Sequence, residues 1–295
     1  MKGSPISVYC ASVRGQSHIK SGKPCQDRCY FEIFGCGKGK GDAAVIAVAD
    51  GLGSASHSEI GADIAVHAAA AEIKRYLTTD FEDGLTLAEI TSDETILLDA
   101  FTAAAEAIEK YAEDAANGVV KKDLACTLAL LFYFGGKATA AQVGDGAIVG
   151  AFSDGRMEII VKPVDSEYIN EVTPITSPDW KSRMNMTAGA SAPVGLVNAA
   201  VFTDGCIGAV TVKKDGNIEP FEGFFRPLFD YFNSKNRENG ETGESDGSEN
   251  GENGENDDNK GNNGNRDIAG LLSSEKMCSV SDDDKTLAVA CFKEE

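Results

Sequence analysis

The stretch Ala44-Val45-Ile46-Ala47-Val48-Ala49-Asp50-Gly51 is an apolar run that ends on an aspartate followed by a glycine. The same ending closes two later runs, at residues 138–146 (ATAAQVGDG) and 199–205 (AAVFTDG), and a fourth run, 282–292, carries its acids first (DDDKTLAVACF). Short runs rich in Val, Ile, Phe and Ala, bounded by turn residues, are typical of buried strands. If these strands share one layered core, their ends can place several carboxylates around a single point.

Such a cluster of carboxylates favours a metal site, because the charges repel one another unless protons or hard cations lie between them. Asp50, Asp204 and Asp283 are the candidate oxygen ligands for Mg²⁺ or Mn²⁺. Two such ions ~3.5–4 Å apart lower the pKa of a bridging water and clamp phosphate oxygens. The alternative for each Asp-Gly pair is a plain hairpin turn, since both residues tolerate positive φ.

Composition excludes several classes of function. The net charge of −20 argues against non-specific binding to nucleic acid, because such binding relies on Lys and Arg. It also argues against adhesion to an anionic membrane surface. No apolar run approaches the ~18 residues of a membrane span, and the first residues lack the apolar core of a secretory signal. We therefore expect a cytoplasmic protein.

The cysteines and histidines do not form a metal-binding pattern. Eight cysteines are scattered without a C-x-x-C pair, most of them inside apolar runs, and only three histidines are present. This favours reduced thiols in the core over a disulfide framework or a zinc centre.

The chain reads as one domain, 1–295, with two irregular segments. Residues 6–13 and 29–34 are predicted to pair as strands, and 126–161 to form an antiparallel meander. Residues 163–193 lose periodicity and are expected to form a flap-like surface segment. Residues 233–266 consist mainly of Asn, Gly, Glu, Ser and Asp, which predicts a disordered acidic insertion.

Five motifs, taken in order along the chain, resemble the metal-dependent protein phosphatase 2C family, in particular its bacterial and archaeal branch. They are Gln26-Asp27, Asp50-Gly51-x-Gly53, Val143-Gly144-Asp145, Thr203-Asp204-Gly205 and Asp283-Asp284-x-Thr286. The resemblance spans about residues 6 to 292. It implies an α+β fold: a four-layer α-β-β-α sandwich in which helices flank two antiparallel sheets, with a binuclear metal site at one end.

The resemblance also implies a set of metal ligands. Asp50 would bridge two Mn²⁺ or Mg²⁺ ions, and the Gly51 carbonyl would bind one of them. Asp204 and Asp283 would bind the other ion. Asp145 would help Asp204 to hold a weaker third ion.

Two further roles follow from the resemblance. Asp27 would orient a metal-bound water, and Arg14 would grip the substrate phosphate, a task that suits the fork geometry of its guanidinium. The alternative for Arg14 is a surface ion pair.

The sequence departs from the family at two positions. Leu52 stands where the family often has a histidine thought to protonate the leaving oxygen, and Gln26 replaces a glutamate. His18 is the candidate substitute for the missing proton donor. His57 is the other histidine near the predicted site, but its position suits an exposed residue in the first turn of a helix.

The function expected from this set is an enzyme, a metal-dependent phosphatase. It would hydrolyse phosphoserine and phosphothreonine in proteins by a metal-activated bridging water. Its substrates would be phosphorylated proteins, targets of a serine/threonine kinase. One alternative is a catalytically weak or inactive regulatory module that binds phosphoproteins. Another is a hydrolase of small phosphate esters.

Overall fold

The computed structural model describes residues 6–35, 42–79, 94–114, 118–134, 136–163, 172–188, 195–242, 250–252 and 263–292. Its strands are β1 (Ile6–Val13), β2 (Arg28–Gly35), β3 (Asp42–Ala49), β4 (Leu128–Phe134), β5 (Lys137–Val143), β6 (Ala147–Phe152), β7 (Met157–Val161), β8 (Asn185–Thr187), β9 (Leu196–Phe202), β10 (Thr211–Lys214), β11 (Asn217–Pro220), β12 (Asn250–Glu252) and β13 (Lys285–Phe292). Its α-helices are α1 (Gln16–Ser21), α2 (Ser58–Thr79), α3 (Glu94–Asp114), α4 (Asp204–Val210), α5 (Glu222–Thr242), α6 (Asn263–Leu272) and α7 (Glu275–Val280).

The described strands form two large antiparallel sheets. Sheet I has the order β1-β13-β9-β6-β7, and sheet II has the order β12-β2-β3-β4-β5-β8. Strands β10 and β11 form a separate hairpin ribbon. Strand β13 lies between β1 and β9, so the last strand of the chain is inside sheet I rather than at its edge.

The two sheets stack face to face, as the alternation along a central strand shows. In β3, Ala44, Ile46 and Val48 face sheet I, whereas Val45 and Ala47 face the helices. Strands with both faces buried read as continuous apolar runs, which explains why the sequence of β3 hardly alternates.

Helices cover both outer faces. On sheet II lie α2 and α3, the latter through a buried face that includes Leu97, Phe101 and Ile108. On sheet I lie α4, α5, α6 and α7; Phe225 and Phe229 of α5 are among the buried residues there. The layers are therefore helix, sheet, sheet, helix, and the predicted α-β-β-α sandwich is confirmed. No helix in the described ranges is both long and apolar enough to cross a bilayer.

Two strand pairings differ from the sequence prediction. Strands β1 and β2 belong to different sheets, and the chain between them forms α1. The meander predicted over 126–161 is divided: β4 and β5 pair in sheet II, whereas β6 and β7 pair in sheet I. The residues between β5 and β6, which contain Asp145, therefore cross from one sheet to the other at the end of the sandwich.

The flap predicted over 163–193 is only partly described, and its described part is anchored. Trp180 is buried and stacks on Phe101 of α3, with 6.2 Å between the ring centroids. Strand β8 pairs with β5 and forms one edge of sheet II. Residues 172–188 are thus fixed to the domain by an aromatic contact and a strand, while 164–171 and 189–193 lie outside the described residues.

The bounds predicted for the disordered insertion, 233–266, are wrong at both ends. Helix α5 continues to Thr242, α6 begins at Asn263, and β12 pairs with β2. The reason is that side chains of this stretch make specific contacts with other helices and strands, which amino-acid composition alone does not reveal. The Lys235 ammonium lies 2.6 Å from the Asp267 carboxylate, and the amides of Asn198 and Asn233 exchange two hydrogen bonds of 3.2 Å. Residues 243–249 and 253–262 lie outside the described part of the chain.

Candidate metal centre

Three acidic residues from separate parts of the chain meet at one end of the sandwich. Asp50 directly follows β3, Asp145 lies in the crossing between β5 and β6, and Asp204 is the first residue of α4, just after β9. One carboxylate oxygen from each lies within 4.8 Å of the other two. Sheet II thus contributes Asp50, sheet I contributes Asp204, and the link between the sheets contributes Asp145.

Burial, and after it the repulsion between neighbouring carboxylates, raises the pKa values of this cluster. Burial, and then the charges of Asp27 and Asp204, raise the pKa of Asp50 well above its usual range. Burial, and then the charges of Asp145 and Asp283, raise the pKa of Asp204 to about 7. Burial also raises the pKa of Asp145. Without positive charge between them, the three groups resist simultaneous ionisation.

The chemistry of this cluster fits a hard divalent cation. The Oδ1 atom of Asp145 is buried and has no hydrogen-bond partner among the described residues. A buried oxygen without a partner is costly, and a cation satisfies it. Carboxylate oxygens are the ligands that Mg²⁺ and Mn²⁺ prefer, so the residues present suit those ions.

Asp27 is buried behind Asp50 and connects it to sheet I. Its Oδ2 atom accepts a 2.8 Å hydrogen bond from the Thr203 hydroxyl, and its carboxyl group shares a hydrogen bond with that of Asp50. The Thr203 hydroxyl oxygen accepts in turn from the Thr286 amide at 3.0 Å. Burial, and then the charge of Asp284, raise the pKa of Asp27 to about 7.

Asp283 lies beside this cluster, together with His18 and Asp284. One ligand atom from each of these three residues lies within 4.8 Å of the others. The distance from His18 Nε2 to Asp283 Oδ1 is 4.0 Å, and the Asp283 side chain is 57% exposed. Asp283 is therefore near enough to raise the pKa of Asp204, but it does not belong to the group formed by Asp50, Asp145 and Asp204.

The other residues singled out in the sequence have different surroundings. Arg14 is exposed just after β1, and its Nη1 atom donates to the Lys23 carbonyl at 3.3 Å. The His57 ring is 44% exposed, and its Nδ1 atom lies 4.0 Å from the Glu59 carboxylate. Gln26 is buried and donates from Nε2 to the Ser58 hydroxyl at 2.5 Å, a bond that an ionised glutamate cannot make.

The glycines of the three Asp-Gly pairs are required for close packing and not for turns. Gly51, Gly146 and Gly205 all have negative or extended φ. A Cβ atom at Gly51 would lie 2.7 Å from the Gln26 carbonyl oxygen, and one at Gly146 would lie 2.6 Å from that of Phe202. At Gly205 it would overlap the Asp284 carbonyl. The hairpin alternative is therefore wrong for these pairs.

Replacing Gly205 tests this packing. Gly205→Ala should lower the free energy of unfolding by about 2 kcal/mol or more, since backbone must move to admit the methyl group. It should also weaken Mn²⁺ binding, because Asp204 is the preceding residue. Urea unfolding of the metal-free protein and calorimetric titration with Mn²⁺ measure the two effects.

Gly270→Ala is the control, at an exposed helical position with no atom of another element within 4 Å of the new Cβ. It should instead stabilise the protein by up to ~1 kcal/mol. Equal stability of Gly205→Ala and wild type would contradict this explanation.

Asp284 belongs to the last of the five motifs, and its role is not evident from the sequence. Its carboxylate is buried and accepts hydrogen bonds from Gly15, His18 and Gln26. The alternation of β13 contains a signal for it: Ala288 and Ala290 face the interior of the sandwich, and Asp284 precedes them by an even number of residues. A carboxylate at a position that faces the interior needs buried hydrogen-bond donors around it.

Comparison with known proteins identifies the family of the chain. A sequence model of the family Protein phosphatase 2C matches residues 14–241. Serine/threonine-protein phosphatase 3 of Escherichia coli (strain K12) is 29% identical over 223 residues, which cover 76% of this chain and 81% of the relative.

Solved structures share the fold. A bacterial serine phosphatase matches with a TM-score of 0.59 and 14% identity, over 98% of this chain and 99% of that one. PppA, described as a key regulatory component of T6SS in Pseudomonas aeruginosa, matches with a TM-score of 0.52 and 14% identity, over 97% of each chain. The match to the family model covers well over half of the sequence, and the chain therefore belongs to the protein phosphatase 2C family.

Proposed function

We propose that Asp50, Asp145 and Asp204 hold divalent cations and that this centre hydrolyses phosphoserine and phosphothreonine in proteins. Membership of the family makes the chain a metal-dependent protein phosphatase. The proposal adds the residues, the ions and the substrates. It is carried by one observation: three half-buried carboxylates with raised pKa values converge from separate strand ends, and one of their oxygens is buried and lacks a hydrogen-bond partner among the described residues.

We assign Mn²⁺ or Mg²⁺ to this centre, as two ions and a weaker third. Bound there, the ions supply the positive charge that acidifies water and holds phosphate oxygens. Asp50, the Gly51 carbonyl, Asp204 and Asp283 are the proposed ligands of the main pair, with Asp145 and Asp204 holding the third ion. Asp283 reaches the pair only if its exposed side chain turns away from His18, and its exposure leaves room for that.

Asp27 and Arg14 complete the reaction site in this proposal. Asp27 is fixed by the Thr203 hydroxyl and orients both the Asp50 carboxylate and the attacking water. Arg14 grips the substrate phosphate. A guanidinium carries five N–H donors, so the bond from Arg14 to the Lys23 carbonyl is compatible with a bidentate grip.

His18 is the proposed proton donor for the leaving serine or threonine oxygen, because Leu52 cannot donate a proton. The Asp284 carboxylate accepts from His18 Nδ1 at 2.8 Å and so fixes the orientation of the ring. This orientation directs Nε2 to the side of Asp283, next to the proposed ions. A histidine held in this way can act as a general acid.

The natural substrates in this proposal are phosphorylated proteins, the products of a serine/threonine kinase. The proposed compartment is the cytoplasm. Seven cysteines in the described ranges are free thiols, which suits a reducing compartment.

Hydrolysis of two substrates tests the function. The protein with Mn²⁺ should dephosphorylate a phosphothreonine peptide, and chelation by EDTA should reduce the rate by at least about a hundredfold. p-Nitrophenyl phosphate should be turned over under the same conditions. Turnover of the small ester alone would reject the assignment to proteins. Absence of Mn²⁺-dependent turnover of both substrates would indicate a phosphoprotein-binding module without activity.

A further inference from the structure

The Asp284 carboxylate accepts hydrogen bonds from three residues, two at the start of α1 and one just before β2. Its Oδ1 atom accepts from the Gly15 amide at 2.6 Å. Its Oδ2 atom accepts from the Gln26 amide at 2.6 Å and from His18 Nδ1 at 2.8 Å. Asp284 itself is only 3% exposed. Hydrogen bonds to a buried carboxylate are among the stronger ones in proteins, so this group restricts all three donor residues.

The two backbone amides bonded to Asp284 each belong to the neighbour of a proposed site residue. Gly15 directly follows Arg14, the proposed phosphate-binding residue, and Gln26 directly precedes Asp27. The contact at Gly15 is tight, because a Cβ atom there would overlap the backbone of Asp283. Gly15 thus packs against the backbone of Asp283 and donates its N–H to the side chain of Asp284.

The two oxygens of Asp284 serve different neighbours. Oδ1 holds the segment of Arg14, which in our proposal contacts the substrate phosphate. Oδ2 holds His18 and the segment of Asp27, which in our proposal act on the proton and the water. An asparagine at this position can keep only one acceptor oxygen and presents an amide N–H to the donors on the other side.

We propose that Asp284 is a positioning residue that sets substrate affinity through Oδ1 and Arg14, and turnover through Oδ2 and His18. This inference rests on the proposed roles of Arg14 and His18. Asparagine should keep its oxygen towards the two donors on the Oδ2 side, so that its amide group opposes the Gly15 amide. Asp284→Asn therefore releases the Arg14 segment first.

Steady-state kinetics with a phosphothreonine peptide test the division between the two oxygens. Asp284→Asn should raise KM about tenfold, the effect of one lost bond to a charged group, and change kcat less than about threefold. In an Arg14→Ala background the same change should leave KM unaltered, because the effect acts through Arg14. The matched control is Asp282→Asn, an exposed neighbour whose backbone carbonyl, and not its side chain, accepts from Ser17. It should behave as wild type.

A second variant does not depend on the folding of Asp284→Asn. His18→Ala removes a bond to Oδ2 only, so kcat should fall about a hundredfold or more while KM stays within about threefold. An increase of KM in His18→Ala as large as that in Asp284→Asn would overturn the division. Equal effects of Asp284→Asn with and without Arg14 would overturn the route through Arg14.

Amide hydrogen exchange separates this inference from the proposed function. Exchange of the segment 14–20 should accelerate at least about tenfold in Asp284→Asn and not in Asp282→Asn, whether or not the protein shows activity. If wild type hydrolyses neither substrate but this acceleration occurs, the proposed function fails and the anchoring by Asp284 stands. Unchanged exchange in Asp284→Asn would overturn the anchoring itself.

Discussion

Asp204→Asn is expected to lower kcat/KM for Mn²⁺-dependent hydrolysis of a phosphothreonine peptide by at least about a thousandfold, because the ions' contribution to the transition state is several kcal/mol. Asparagine preserves the size of the side chain at the start of α4. It removes, however, the charge at the position where the carboxylates of Asp50, Asp145 and Asp204 converge. A neutral amide oxygen binds a hard cation far more weakly than a carboxylate does.

Two measurements check this expectation. Kinetics with a Mn²⁺ series give the loss of turnover, and calorimetric titration with Mn²⁺ gives the loss of affinity without reference to catalysis. Asp215→Asn is the matched control: it makes the same chemical change at an exposed position in the turn between β10 and β11, where φ is 51° and asparagine is tolerated. Retention of more than about a tenth of the activity by Asp204→Asn would contradict the assignment of this residue as a ligand.

The metal-free protein is expected to gain stability as the pH falls from about 8 to about 6. Asp27 and Asp204 have pKa values raised to about 7 in the folded protein, against about 3.9 in an unfolded chain. Between these values the folded state binds more protons than the unfolded state. The stability that protonation provides is complete below about pH 4 and is lost as the pH rises through about 7.

The size of this effect is on the order of 2 kcal/mol between pH 6 and pH 8, or roughly 5 °C in Tm. Calorimetric unfolding in EDTA at pH 6, 7 and 8 measures it. Mn²⁺ should stabilise the protein more at pH 8 than at pH 6, because protons then compete less for the carboxylates. Asp204→Asn should reduce the pH dependence, since one of the two groups is gone. A metal-free Tm that rises from pH 6 to pH 8 would be incompatible with the raised pKa values.

The sequence predicted the central strands and the acids at their ends, because both depend on local patterns, whereas the four layers were implied by the resemblance to the family. The pattern predicted a cluster of Asp50, Asp204 and Asp283. The structure brings Asp50 and Asp204 together with Asp145, and it places Asp283 beside them with His18 and Asp284. Strand pairing could not be predicted in the same way. A period of two shows which side chains share a face, but it does not show which sheet a strand joins. The Asp-Gly pair at residues 145–146 therefore looked like a hairpin, although it crosses between sheets.

Other parts of the site depend on contacts between distant residues and could not be read locally. The role of Asp284 requires donors from Gly15 and Gln26, more than 250 positions away in the chain. The contact between Asp283 and His18, with 4.0 Å between Oδ1 and Nε2, depends on a side-chain rotamer, which no sequence spacing specifies. The end of α5 was missed for a related reason. Asn233 lies in a stretch of polar residues, which predicted disorder, but its side-chain amide is hydrogen-bonded to that of Asn198 in the structure.

Helices α5 and α6 are fastened to each other where the chain leaves and re-enters the outer layer on sheet I. The Asp267 carboxylate accepts from the Tyr231 hydroxyl at 2.7 Å and from the Lys235 ammonium at 2.6 Å. A connection whose two anchors are already joined can be lengthened cheaply, since each doubling costs only about 0.6 kcal/mol of closure entropy. Residues inserted between these helices, on either side of β12, are therefore expected to leave the phosphatase sandwich unchanged.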